Sequence, residues 1–142
     1  MSAECAKHHE SGVYVKLQNS STMTKLQELY FKIQDWDGFS VKHDLSTYEG
    51  GGYAVGGASE CYEVNVENLS FNRFADIMAD LCEQTRGKAS RLLIGGWVDD
   101  NGWAYLELSD IVQNRTEAIA LGEDRMEKAI YDLWNNEEIK LQ

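Results

Sequence analysis

Leu92-Leu93-Ile94-Gly95-Gly96-Trp97-Val98, Asp99-Asp100-Asn101-Gly102 and Trp103-Ala104-Tyr105-Leu106-Glu107-Leu108 run on without a break. Two apolar runs flank an Asn-Gly pair, and both of those residues tolerate the positive φ that tight primed turns require. The stretch therefore predicts a β-hairpin centred on residues 99–102. Just upstream, Phe71, Phe74, Ile77, Met78 and Leu81 repeat at helical spacing, with Ser70 placed to cap the N-terminus and Gly87 just past the end. That pattern predicts a helix over 71–85.

Further out, Leu26, Leu29, Tyr30 and Ile33 form one stripe of a helix at about 22–35, capped by Ser21 or Thr22 and stopped by Gly38. Alternation of Phe39, Val41, His43 and Leu45, then Tyr53-Ala54-Val55, then Tyr62, Val64 and Val66 predicts three strands, read as an antiparallel meander. Val13, Val15 and Leu17 suggest a further short strand, and residues 1–11 lack apolar period and are expected to fray. Downstream, Asn114 or Thr116 opens a short helix ended by Gly122, Lys128–Leu133 is a strand, and Glu138–Leu141 returns after an Asn135-Asn136 turn. Together these elements predict one α+β domain over residues 1–142, an antiparallel sheet with two to three helices packed on it.

With 142 residues, 43% hydrophobic, the chain has the size and composition of one folded domain. No stretch reaches the roughly 18 to 20 apolar residues of a membrane span, and the N-terminus lacks a secretory pattern. Cys5, Cys61 and Cys82 are odd in number and lack CxxC spacing, which suits a reducing compartment, so the expectation is a cytoplasmic protein. The net charge of −11 is spread along the chain and opposes phosphate backbones, so nonspecific nucleic-acid binding is not expected. The same acidity admits a different partner, a basic groove of another protein.

No catalytic pattern is present. Cys5, His8 and His9 are the one cluster of soft metal ligands, and they fall short of the three or four converging groups that zinc needs. His43 lacks a nucleophile elbow or an evident orienting acid. Gly50-Gly51-Gly52 and Gly56-Gly57 carry neither phosphate-loop spacing and read as a mobile hairpin tip. Asp99, Asp100 and Asn101 depart from a calcium loop and read as a solvated turn. Neither enzyme activity nor a cofactor is expected. Chemically the richest stretch is 91–134, where Trp97, Trp103, Tyr105, Tyr131 and Trp134 supply flat faces and Arg91, Arg115 and Arg125 supply forks. Such residues hold the base and phosphates of a nucleotide; equally, the aromatics can be core and the arginines can pair with Glu117 and Asp124.

Residues 91–141 resemble a pattern of small phage and prophage proteins. The matching residues are Ile94–Gly102, Tyr105-Leu106-Glu107-Leu108-Ser109, Arg115-Thr116-Glu117-Ala118-Ile119, Lys128–Leu133 and Glu137-Glu138-Ile139. Arg125-Met126-Glu127-Lys128 stands where the pattern has an Asn/Gln-rich turn. Within that set the layout is similar to the phage anti-Thoeris proteins, oligomeric sponges that bind a cyclic ADP-ribose signal without cleaving it. The resemblance implies Trp97 or Trp103 stacking on adenine, Asn101 on a base edge or ribose, and Arg115 and Arg125 on the pyrophosphate; Tyr105 and Arg91 of the same stretch complete the candidate ligand-binding set. It also implies a homo-oligomer acting in the host bacterial cytoplasm. The alternative expectation is an acidic, DNA-mimicking inhibitor of a host defence protein.

Overall fold

A computed structural model describes residues 20–88 and 91–142. In chain order come α1 (Ser20–Gln34), β1 (Phe39–Val41), β2 (Tyr53–Gly56), β3 (Tyr62–Asn65), a 3-10 turn (Val66–Asn68), α2 (Phe71–Gln84), β4 (Leu92–Val98), β5 (Trp103–Val112), α3 (Arg115–Asp124), β6 (Ala129–Asp132) and β7 (Glu137–Lys140). The expected strand at 13–17, the fraying of 1–11 and the Cys5/His8/His9 cluster lie outside the described residues.

The hairpin organises everything else. β4 and β5 pair antiparallel from Leu92↔Asp110 to Val98↔Ala104, but the turn is not a primed one: of the Asn-Gly pair only Gly102 takes a positive φ (83°), in a loop where the Gly102 N–H donates to Asp99 O and the Asp99 N–H to Trp103 O. Because β5 is ten residues long, its second edge has room for two strands, β3 against Trp103–Leu106 and β2 against Ser109–Val112. β1 extends the sheet beyond β4, and β6 and β7 extend it beyond β2, giving the order β1-β4-β5-β2-β6-β7 with every pairing antiparallel. The α+β architecture expected from the sequence is present.

The meander is not. β1, β2 and β3 do not pair with one another; each takes an edge that the long hairpin or its extension offers. β1 is also shorter than the alternation to Leu45 suggests. Asp44 Oδ1 accepts the Ser46 N–H and hydroxyl, Leu45 adopts φ 69°, and the chain reverses, so His43 sits exposed in a turn. A polar side chain that bonds its own backbone two residues on competes with the ladder and here wins.

Register places the three helices of the described residues on one face. Val41, Ile94, Leu106 and Leu108 point from β1, β4 and β5 into a core with Leu26 and Ile33 of α1 and Phe74, Ile77 and Leu81 of α2. Val55, opposite Asp110, shares that face and packs with Ile130 and Ala118 of α3. Tyr30 of α1 joins the two helices, its ring 5.6 Å from both Phe71 and Phe74 and its hydroxyl donating to Leu69 O.

Two of the three expected caps are formed, whereas Ser21 and Thr22 lie inside α1, which begins at Ser20, and do not cap it. Ser70 Oγ accepts the Arg73 N–H at 3.1 Å, and Asn114 Oδ1 accepts the Glu117 N–H at 3.0 Å. Ser70→Ala is expected to lower stability by about 1 kcal/mol, read as a reduced urea midpoint with an unchanged slope. Gly122 does not end α3, which continues to Asp124. A Cβ at Gly122 would stand 2.6 Å from Leu141 and 2.8 Å from Ile130, so the glycine is there for close approach of the helix to β6 and the C-terminal segment. Met126, at φ 59°, takes the left-handed position beyond the helix instead.

Candidate functional site

Alternation in a strand gives each face its own residues. Opposite the helices stand Ser40 of β1, Leu93 and Gly95 of β4, Glu107 and Ser109 of β5, and Ala54 and Gly56 of β2. Cross-strand pairs Ser40↔Gly95 and Gly56↔Ser109 lay small residues side by side, with Glu107 opposite Gly95. Side chains of that size cannot fill the concavity of a curled sheet. What remains is an open groove of about 510 Å³, within the range of small-molecule sites.

Aromatic side chains form its sides. Trp97 is stacked on Tyr105, its cross-strand partner, with centroids 4.4 Å apart and planes 24° from parallel, and is still 38% exposed. Tyr131 of β6, Tyr48 and Trp36 also line the groove. Trp36 closes α1 in the left-handed region at φ 60°, a position glycine usually takes because a Cβ there costs about 1–2 kcal/mol. Its ring is held against Gly102, where an added Cβ would come within 3.0 Å.

At the centre, Glu107 is 5% exposed. Its Oε1 accepts the Gly57 N–H at 2.9 Å, and among the described residues nothing donates to Oε2. Glu127, between α3 and β6, brings a second carboxylate to the same place. A Cβ at Gly56 would lie 2.7 Å from Glu127 Oε1 and 3.0 Å from Glu107 Oε2, so a side chain on β2 would displace both. Burial pushes the Glu107 carboxyl up to about 7; the charge of Glu127 adds to this, while the Gly57 N–H and Arg125 oppose it. Burial raises Glu127 as well, again opposed by Arg125. Among the described lining residues Asp37, Glu107, Glu127 and Glu138 are acidic, and Lys32, paired with Asp37 at 3.4 Å, is the one lysine or arginine.

The seven residues singled out in the sequence do not converge. Trp97 lines the groove; Tyr105 stands behind it in the stack. Trp103 starts β5 on the same face, 42% exposed but away from the groove lining. Asn101 is exposed in the hairpin turn and its N–H donates to Asp99 Oδ1. Arg91 is exposed at the start of β4, and Arg115 is exposed at the first turn of α3, near Asp132. Arg125 is tied down: it donates to Asp110 at 2.6 Å, to Gly56 O at 2.9 Å and to Val55 O at 3.3 Å. Its partners are therefore Asp110 and β2 carbonyls, not the neighbouring Asp124.

The Asp99 carboxylate is also spoken for. Although slight burial opposes it, N–H groups of Trp103 and Asn101 and the Tyr105 hydroxyl hold it below the usual carboxylate range. Burial, then this bond to Asp99, raises Tyr105. The glycine loop is pinned by Tyr48, whose hydroxyl donates to Gly51 O at 2.9 Å, and by Trp134, against whose ring Gly51 packs. Cys61 and Cys82 are free thiols, and no helix among the described residues is long and apolar enough to cross a membrane.

Glu107, Glu127, Trp36 and Tyr48 were not singled out by sequence reasoning. For Glu107 a signal existed, since it shares strand parity with Trp103 and Tyr105. Glu127 carried none, because its position depends on where α3 ends. The chain has no match among protein-family models, curated proteins or solved structures.

Proposed function

We propose that the protein binds a small ring-bearing molecule in the groove and holds it without transforming it, the candidate ligand being a nucleotide signal of the cyclic ADP-ribose type. The observation that carries this reading is the groove itself: a concave sheet face paved with small residues and walled by Trp97, Tyr131, Tyr48 and Trp36. Flat faces of this kind stack a nucleobase, and each stacked base contributes about 1–3 kcal/mol in proteins that bind single strands.

Charge decides which end of a nucleotide enters. Four carboxylates against one paired lysine disfavour a phosphate on the groove floor, so the base and ribose go in and the pyrophosphate stays at the mouth. Arg91 and Arg115, exposed and outside the groove, are in the right state to serve a neighbouring protomer in a homo-oligomer. The proposed setting is the bacterial cytoplasm, where such a signal is made.

Thermal unfolding with cyclic ADP-ribose isomers, adenosine and adenosine monophosphate tests this. A ligand at 100 times its Kd adds about 2.7 kcal/mol, a shift of several degrees. The expected outcome is a shift with the cyclic nucleotide, lost in Trp97→Ala, with the ligand recovered intact. Recovery of a cleaved product would instead make the Glu107 and Glu127 pair a general acid and base. No shift with any of these compounds would end the nucleotide reading and favour an acidic inhibitor of a basic protein.

A further inference from the structure

We propose that two copies of the chain join through the outer edge of β7, antiparallel about a two-fold axis at Ile139, so that Glu138 of each copy stands opposite Lys140 of the other. The pairing does not depend on what the groove binds.

β7 ends the sheet, and among the described residues nothing pairs with its outer edge. The Leu141 N–H donates to Lys128 O at 2.8 Å, and in an antiparallel ladder alternate residues bond to the same neighbour. Ile139 and Glu137 therefore turn their peptide groups to β6, whereas those of Glu138 and Lys140, both exposed, point outward. An edge of this kind accepts a further strand by main-chain hydrogen bonds.

Charge decides which strand, and in which register. A second copy related by a two-fold axis must set outward residues against outward residues, which admits short registers centred on Glu138, Ile139 or Lys140. Centred on Glu138, the pairing puts two carboxylates face to face; centred on Lys140, it puts two ammonium groups face to face. Centred on Ile139, it forms a Glu138–Lys140 pair on either side of the axis and lays Ile139 against its own copy, on the face where it packs with Val55, Ala118 and Ile130. Charged side chains commonly guard an edge against any partner. Here their order excludes two registers and favours one.

The groove gains from this pairing. Glu138 lines it beside its cross-strand partner Tyr131, so Lys140 of the partner subunit stands at the rim. It brings a cation to a lining in which Lys32, already paired with Asp37, is the one lysine or arginine among the described residues.

Sedimentation velocity of the full-length protein tests the proposal. The unaltered chain is expected to run as a dimer. Lys140→Glu and Glu138→Lys alter exposed side chains, and each should leave a monomer because each sets like charges opposite one another. The double variant Glu138→Lys/Lys140→Glu inverts both pairs in the same register and should dimerise again. Mixed together, the two single variants should form a heterodimer, one edge acidic at both outward positions and the other basic at both. An unaltered protein that stays monomeric up to its solubility limit would overturn the proposal, as would an assembly that both single variants retain or that the double variant does not restore. No nucleotide enters these measurements, so any of those results leaves the groove reading standing.

Discussion

Glu107→Gln is expected to stabilise the protein at pH 8 and to leave its stability nearly unchanged at pH 4. The sign follows from the direction of the shift. The carboxyl titrates near 7 in the fold, against an ordinary value near 4.5. Between those two values the folded state binds more protons than the unfolded chain, so stability falls as pH rises through the interval and stays low above it. Below about pH 4.5 the group is protonated in both states and the penalty is absent. A gap of this size corresponds to about 3 kcal/mol, which for a chain of this length is roughly 10 °C in melting temperature. Glutamine keeps the shape and can still accept the Gly57 N–H while removing the charge that burial and Glu127 penalise. Melting curves of both proteins from pH 4 to 9 should coincide in acid and separate by neutrality; curves that stay parallel throughout would mean that Glu107 is not held in a charge-averse environment.

Arg125→Met should be the most damaging single change at the site. It removes the partner of Asp110, whose side chain is only 24% exposed, and strips two β2 carbonyls of a donor. Leaving a half-buried carboxylate unpaired costs more than the pair contributes when intact, and with partial exposure taken into account the loss is about 3 kcal/mol. The urea midpoint should fall accordingly with an unchanged slope. Arg125 also moderates the charge of Glu107, so the two substitutions act on one network. In a Glu107→Gln background the cost of Arg125→Met should shrink, and a double-mutant cycle reads that difference directly. Strict additivity would separate Arg125 from the carboxylate pair.

Much of the fold was legible because local chemistry and tertiary structure agree. The Asn101-Gly102 turn, the Ser70 cap with its apolar stripe and the Asn114 cap each specify an element by residues that lie within it. Partner choice among strands was not legible. Alternation in Phe39–Leu45, Tyr53–Val55 and Tyr62–Val66 says that these segments are extended, but not that β2 and β3 divide one edge of β5 between them. Gly122 looked like a stop because glycine commonly ends helices; its actual role depends on Leu141 and Ile130, which approach it only in the folded state. The site follows the same division. Trp97 and Tyr105 could be found from the hairpin pattern, whereas the environment of Glu107 is created by Gly57, Glu127 and Arg125, distant in sequence. Arg125 looked like a phosphate ligand by residue type, and its neighbours have already used its donors.

Because the helices among the described residues lie on one side of the sheet, neighbouring residues of β4 and β5 answer to different demands. Ile94, Leu106 and Leu108 are constrained by a packed interior, while Gly95, Trp97, Glu107 and Ser109 between them face the groove. Substitutions in the second set can therefore alter what the groove binds while leaving the packed interior in place. A saturation scan of Ile94–Trp97 and Leu106–Ser109 would record that division as a two-residue rhythm, abundance falling at one parity and binding at the other, whereas Leu93, buried at the groove parity, should lower abundance.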